Sequence, residues 1–352
     1  MNRTEAQAAP PPVPRDDIGG KVKRLIVFLV AANLIIWAWA WLHLQHQTAL
    51  LGTAVLAYSF GLRHGLDADH IAAIDNVTRK LMQEGGRPVA VGFFFALGHS
   101  MVVVLASILV ACAAKSFAIY LPQIQAYGGL ASAIISTTFL LVIGLFNAFL
   151  LADLYRAYRR GKNGVAGIEI DASGPIKGSM LARLCAPVFN KIRHSWQMMP
   201  LGFLFGLGFE TATEVAVLST AAMHALRGVD LPTILLFPAL FTVGMLTVDA
   251  LDGVLMVRVY GWAYVNPMRK LRYNLVLTLI STLLALGIAA IGMVSLLQVS
   301  FDLQGALWRS ISSLENHYMT LGIMIIGVFL RGWTGSSLFY RLKNNGLAHS
   351  VT

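Results

Sequence analysis

The chain has 352 residues, 57% of them hydrophobic and only 12% charged, with a mean hydropathy of +0.67 and a formal net charge of +10. Soluble domains carry about 25% charged residues, so half that share leaves too little polar surface to coat a water-soluble globule. The composition predicts an all-α, polytopic membrane protein, and the placement of the positive charge described below argues against a nucleic-acid partner.

Residues Met1 to Gly20 read as a disordered cytoplasmic tail, because Pro10, Pro11, Pro12 and Pro14 among small residues build no core. The first apolar run follows Lys21, Lys23 and Arg24 and has no small-residue cleavage site near it, so it is expected to remain as a membrane helix. Eight spans are expected, over 25–44, 49–75, 91–113, 129–152, 198–223, 232–257, 273–297 and 317–340, each able to cross a hydrocarbon core about 30 Å thick. Together they form an eight-helix transmembrane domain over 21–342, with a cytoplasmic loop over 153–197 and a tail over 343–352.

With the N-terminus in the cytoplasm, five Lys and Arg residues fall in the tail, three after the second span, eight between the fourth and fifth, four after the sixth and two at the end. The outer loops hold only Lys115, Arg227 and Arg309, while Arg63 and Arg331 fall inside spans. An excess of this size follows the positive-inside rule and predicts that both termini are cytoplasmic. The loop over 153–197, with Gly161, Gly164, Gly167 and Gly174, reads as a solvated basic connector. Cys112 and Cys185 are far apart and offer neither a disulfide framework nor a Cys-x-x-Cys metal site. The Trp37-Trp39-Trp41 run reads as an interfacial anchor.

Ionisable groups at membrane depth cost several kcal/mol and usually mark a substrate or ion path. The second span carries Arg63, His64, Asp67, Asp69, His70 and Asp75, and the third carries His99 and Ser100. The fifth carries Glu210, Thr211 and Glu214, and the sixth Asp249 and Asp252. Carboxylates and imidazoles thus outnumber guanidiniums, which suits a cation guest. Imidazole with carboxylate suits zinc, nickel, cobalt, iron or manganese, whereas an all-oxygen set would suit magnesium or calcium and thiolates copper(I).

At about 100° per residue, His64, Asp67 and His70 fall near 0°, −60° and −120° on a regular helix, and Asp75 returns to about +20°. One helix face can therefore offer the first three to one ion, with Asp75 further along the path. Asp69 falls near 140°, so it joins only if the helix distorts near Gly65, and otherwise orients a ligand such as His99 from behind. Glu210 with Glu214, and Asp249 with Asp252, each share a helix face and either line the path, pair helices or balance Arg63. Arg63 can also pair with Asp67 four residues on.

The string Arg63-His64-Gly65-Leu66-Asp67-Ala68-Asp69-His70-Ile71 resembles the second-helix signature, H-x4-D-H, of the nickel/cobalt transporter family of bacterial high-affinity permeases. Three more strings are similar to motifs of that family in the same order: Phe95-Ala96-Leu97-Gly98-His99-Ser100, Leu207-Gly208-Phe209-Glu210-Thr211-Ala212-Thr213-Glu214 and Gly244-Met245-Leu246-Thr247-Val248-Asp249-Ala250-Leu251-Asp252. The chain departs from the family pattern at Gly65, usually Ala, at Glu210, usually Asp, and at Ala250, usually Thr.

The resemblance implies an eight-helix importer of Ni2+ and/or Co2+ in the cytoplasmic membrane, with no cofactor and no enzymatic activity. It carries the metal-holding role to His64, Asp67, Asp69, His70 and His99. Arg63, Asp75, Ser100, Glu210, Thr211, Glu214, Asp249 and Asp252 are left to the transport path or to support. An importer of zinc, manganese or iron, an efflux protein for nickel and cobalt, and a membrane metalloenzyme are the alternatives. Neither H-E-x-x-H nor G-x-x-x-x-G-K-[ST] occurs, so neither a zinc-protease centre nor ATP hydrolysis by this chain is indicated, and nothing points to an ATPase subunit. A shorter internal echo, Phe60-Gly61-Leu62…Gly65-Leu66-Asp67 against Phe205-Gly206-Leu207-Gly208-Phe209-Glu210, fits an inverted repeat with a site near the midplane.

Overall fold

A computed structural model describes residues 18–112, 114–162, 192–207, 212–262, 267–305, 308, 310, 317, 320–327 and 331. No strand occurs among the described residues. The helices are α1 (Ile18–Leu44), α2 (Thr48–His64), α3 (Ala68–Gln83), α4 (Val91–Cys112), α5 (Ala114–Lys162), α6 (Met198–Gly206), α7 (Ala212–Leu226), α8 (Leu231–Trp262) and α9 (Pro267–Phe301). Residues 320–327 are also helical.

Five segments are long and apolar enough to cross a bilayer: Ile18–Leu44, Val91–Ala111, Ala133–Arg156, Leu231–Tyr260 and Thr278–Phe301. They coincide with the first, third, fourth, sixth and seventh expected spans and make the chain a multi-pass membrane protein. The edges shift. Helix α1 begins at Ile18, inside the expected tail, and α5 runs on to Lys162, taking the start of the expected loop into the helix. The rest of that loop up to residue 191, most of the eighth expected span, and both ends of the chain lie outside the described residues.

The second and fifth expected spans are not continuous helices. The second is α2 followed by α3, and the fifth is α6 followed by α7. Between α2 and α3 the backbone tightens, with Leu66 N–H donating to Arg63 O and Asp67 N–H to His64 O. It then extends at Asp67 (φ −67°, ψ 141°) before Ile71 N–H, donating to Asp67 O, starts α3. Irregular backbone at membrane depth is tolerated only where protein covers it. Here Gly65, Asp67 and Ala68 are buried, and a Cβ at Gly322 would lie 1.8 Å from Leu66 O, so the segment 320–327 covers the break. Helix α6 ends at Gly206 with Leu207 in a turn, within the second echoing string, and α7 is described from Ala212; residues 208–211 lie outside the described residues.

Helix α8 is the central post and packs against α1, α2, α3, α4 and α7. Close approach comes from small residues, which substitute for a hydrophobic drive between helices in lipid. A Cβ at Gly61 of α2 would lie 2.0 Å from Phe241 O of α8, and one at Gly202 of α6 would lie 2.0 Å from Phe95 O of α4. On the outside, Leu34, Ile35 and Leu42 of α1 are exposed, as a lipid-facing surface requires. The polar groups are gathered instead where α2, α3, α4, α7 and α8 meet.

Candidate metal centre

Three imidazoles converge at that meeting point. His64 ends α2, His70 lies in the first turn of α3 and His99 comes from α4, and they are 2%, 1% and 3% exposed. Their ring centroids form a near-equilateral triangle, 4.6 Å for His64–His70 and 4.8 Å for each of the other two pairs. One ligand nitrogen from each ring lies within 4.8 Å of the others.

The break between α2 and α3 makes this possible. On a continuous helix, residues six apart are separated by about 9 Å along the axis and about 120° around it. His64 and His70 would then share only a broad face, and their rings could not meet at 4.6 Å. The reading of one regular helix offering His64, Asp67 and His70 is therefore corrected: the chain turns at Gly65–Asp67 and folds the two histidines toward each other. The left-handed region plays no part, since Gly65 has φ −62° and ψ −11°. Its glycine leaves room, because a Cβ there would lie 2.8 Å from Val248 Cβ and 3.1 Å from Asp249 Oδ1.

Each histidine is held from behind by a carboxylate or faces one. His64 Nδ1–H donates to Asp67 Oδ2 (2.9 Å), and His70 Nδ1–H donates to Asp249 Oδ2 (3.1 Å). Such bonds fix the tautomer and leave each Nε2 as the acceptor nitrogen, the form a cation can take. Asp67 is the N-cap of α3 but caps nothing, since its carboxylate goes to His64 instead. His99 Nε2 lies 2.9 Å from His64 Nε2 and 2.7 Å from Glu214 Oε1, while Glu214 Oε1 is 3.7 Å from His64 Nε2. Two ring nitrogens and a carboxylate oxygen from α2, α4 and α7 thus surround one point.

The spacing suits an ion. At a metal–nitrogen bond of about 2.05 Å, nitrogens at 90° are about 2.9 Å apart and nitrogens at 109° about 3.35 Å apart. The 2.9 Å between His64 Nε2 and His99 Nε2 is a direct hydrogen-bond contact, which an ion held between the two rings would replace. Phe95 meets the His70 ring edge-on at 4.9 Å and Phe241 lies against His64 at 5.6 Å, so apolar rings wall the cluster.

The other sequence-designated residues separate. Asp69 does not bond His99; its Oδ1 accepts the His70 backbone N–H (3.0 Å), which places negative charge in the first turn of α3. Arg63 is exposed, and among the described residues Asp67 bonds His64 and not Arg63, the other partner its spacing allowed. Ser100 is buried, and its hydroxyl has no partner among the described residues. Asp75 is fully buried but bonds the Tyr260 hydroxyl of α8, away from the imidazoles. Asp249 backs His70, and Asp252 follows it one turn along α8. Glu210 and Thr211 lie outside the described residues.

Sequence reasoning put Glu214 on the path, whereas the structure brings it within bonding distance of His99. It missed Phe95, Phe241 and Tyr260, whose side chains carry no charge to flag them.

The model of the family described as high-affinity nickel-transport protein matches residues 50–339. Similar proteins include the high-affinity nickel transport protein of Cupriavidus necator, 45% identical over 324 residues and 92% of each chain. The nickel transporter NixA of Staphylococcus aureus is 39% identical over 317 residues, 90% of this chain and 93% of that one. The cobalt transport protein NhlF of Rhodococcus rhodochrous is 38% identical over 300 residues and 84% of each chain. No solved structure matches the chain.

Proposed function

The chain belongs to the high-affinity nickel-transport protein family, and from that premise we infer that it is a permease importing Ni2+ and/or Co2+ across the cytoplasmic membrane. The observation that carries the reading is the buried triangle of His64, His70 and His99, with Asp67 and Asp249 behind two rings and Glu214 beside the third. Neutral imidazoles with a carboxylate suit borderline dications, and affinity for nickel and cobalt exceeds that for manganese. The family and its named members are transporters, not enzymes.

In this reading the hydrated ion sheds water as it enters the triangle. His64, His70 and His99 hold it with Glu214, while Asp67 and Asp69 supply charge at the break. Asp67 and Asp69 also offset the positive N-terminal end of α3, which would otherwise repel a cation. Two discontinuous spans meeting at a central site match the general plan of secondary transporters. The charge count supports eight spans with both termini cytoplasmic. A dication moving inward down a potential of about 100 mV gains about 4.6 kcal/mol, enough for a gradient on the order of a thousandfold.

The test is uptake of labelled nickel by cells expressing the chain, with cobalt, zinc, manganese and iron as competitors. His64→Ala and His70→Ala are expected to abolish accumulation at unchanged membrane abundance. Normal nickel and cobalt uptake in both variants would overturn the site, and strong inhibition by zinc or manganese alone would overturn the cargo. The cobalt relative makes nickel against cobalt the comparison of most interest.

A further inference from the structure

His70 sits in the first turn of α3. Little at that end sets how the helix is turned about its axis. Its N-cap, Asp67, makes no capping bond, and the His70 side chain is bonded to Asp249 alone among the described residues. Ile74 and Val77, which follow His70 on the same face, are buried among apolar side chains, and contacts of that kind have no direction. The opposite face is different. Arg79 stands about 180° around the helix from His70 and about 13 Å along it, and it is 4% exposed among polar groups of two other helices.

The two arms of the Arg79 fork end on different helices. Nη1–H donates to Thr278 Oγ1 of α9 (2.9 Å), and Nη2–H donates to Asn147 Oδ1 of α5. The Asn147 amide donates in turn to Asn76 Oδ1, back on α3, and Asn76 Nδ2–H donates to Ala72 O (2.6 Å). Asn76, Asn147 and Thr278 are all buried. Helices α5 and α9 are themselves tightly packed, since a Cβ at Gly144 would lie 2.6 Å from Leu286 Cδ2, so both arms rest on one firm surface. The charge is answered within α3: Asp75, one turn back, feels the guanidinium. Acid and base four residues apart on one helix form a local pair, which leaves the bonds to α5 and α9 as directional ties between neutral acceptors and a fixed fork.

We propose that Arg79, held by Thr278 and Asn147, is a positioning residue for His70: it pins the back of α3 to α5 and α9 and so sets the rotation that turns the His70 ring into the metal centre. This rests on the reading of His64, His70 and His99 as that centre. The leverage is large. A turn of α3 by about 20° about its axis would carry a ring about 5–6 Å from the axis through about 2 Å. Metal–ligand distances tolerate only about 0.2 Å, so such a turn takes His70 off the ion. A guanidinium grips two acceptors in a rigid plane, whereas an ammonium is a single point of charge. Arginine at this position therefore fixes an angle that lysine would leave loose.

The experiment uses purified full-length protein with Ni2+ as the probe, followed by equilibrium dialysis for the Kd and by X-ray absorption for the number of imidazoles on the metal. Arg79→Lys keeps the charge that Asp75 feels and loses the two-armed grip. It is expected to raise the Kd at least about tenfold, the worth of a hydrogen bond to a charged group, and to lower the imidazole count from three to two. Thr278→Ser keeps the hydroxyl and should stay within about twofold of the native Kd, whereas Thr278→Val keeps the shape, loses the acceptor and should raise it at least about threefold. A native Kd with three imidazoles in Arg79→Lys would show that its charge alone matters and would overturn the proposal. Equal binding by Thr278→Val and Thr278→Ser would overturn it too. A lowered unfolding temperature with all three imidazoles kept would make the fork a structural tie only, with the same consequence. If Arg79→Lys does not reach the membrane, the pair of Thr278 variants decides. Nickel without imidazoles in the native chain would instead overturn the metal centre, and the positioning role with it, before any variant is compared.

Discussion

Asp67 tests whether the carboxylate at the helix break holds the ion or holds a histidine. Its Oδ2 lies 2.9 Å from His64 Nδ1, on the side of the ring opposite Nε2, which faces His99. Asp67→Asn keeps the size, the extended backbone and an oxygen acceptor, but removes the charge. A charge-assisted bond is roughly twice as strong as a neutral one. Loss of an outer partner of a metal-binding histidine costs about 10–100-fold in affinity, or about 1.4–2.8 kcal/mol. The expected result is a 10–100-fold rise in the nickel concentration giving half-maximal uptake, with most of the maximal rate kept. Asp67→Ala should sit at the upper end of that range. Neither change should cost a helix cap, because Asp67 makes no capping bond in α3. The assay is the initial rate of labelled nickel uptake over a concentration series, normalised to protein in the membrane. An unchanged half-saturation in Asp67→Ala would show that His64 needs no partner. Complete loss of binding in Asp67→Asn, as deep as in His64→Ala, would make Asp67 a direct ligand. Either result would refute the orienting role.

Gly65→Ala would place a Cβ 2.8 Å from Val248 Cβ and 3.1 Å from Asp249 Oδ1. Overpacking of this kind costs about 1–3 kcal/mol, so a lower unfolding temperature in detergent and a raised half-saturation are expected, and Val248→Gly in the same chain, which removes the clashing Cβ, should restore the half-saturation. Glu214→Gln should weaken nickel binding at least about tenfold, measured by equilibrium dialysis, because the oxygen 2.7 Å from His99 loses its charge. Nickel at about a hundred times its dissociation constant should stabilise the purified protein by about 2.7 kcal/mol. The resulting shift in thermal unfolding should vanish in His64→Ala.

The residue types of the centre were legible because charge at membrane depth is rare enough to be noticed wherever it occurs. His64, His70 and His99 were each named from the sequence, and they are the three that meet. The break was not legible. Gly65-Leu66 and Gly206-Leu207 are apolar, so hydropathy runs through both interruptions as if each span were one helix. A 100° wheel also suppresses the axial rise, and it made His64 and His70 look like neighbours on a straight helix when about 9 Å of rise would hold them apart. Glu214 was assigned only to the path or to support for a related reason: spacing within α7 says which residues share a face, but only the packing of α7 against α4 says what that face meets. The bonds from Arg79 to Asn147 and Thr278 join three helices distant in sequence, and uncharged partners leave no pattern to read.

The break also bears on how one site can both hold an ion and release it. A dication bound by three imidazoles and a carboxylate from a rigid bundle would be held well and passed on slowly. Here the candidate ligands come from four helices, and two of them, His64 and His70, are joined by the short irregular stretch Gly65–Asp67. A modest change in the angle between α2 and α3 would separate those two rings while each kept its own backing carboxylate, because Asp67 sits in the break beside His64 and Asp249 belongs to α8. Opening along that line would cost neither tautomer-fixing bond. A covalent or metal-independent clamp across the break should accordingly slow transport more than it weakens binding. The clamp is a pair of introduced cysteines, one in α2 and one in α3, oxidised to a disulfide in the purified protein, because Ala73 and its neighbours in α3 are buried from added crosslinkers. Nickel binding that survives crosslinking while uptake into vesicles stops is the expected result. Undiminished uptake with the bridge in place would show that the ion passes without any relative movement of α2 and α3.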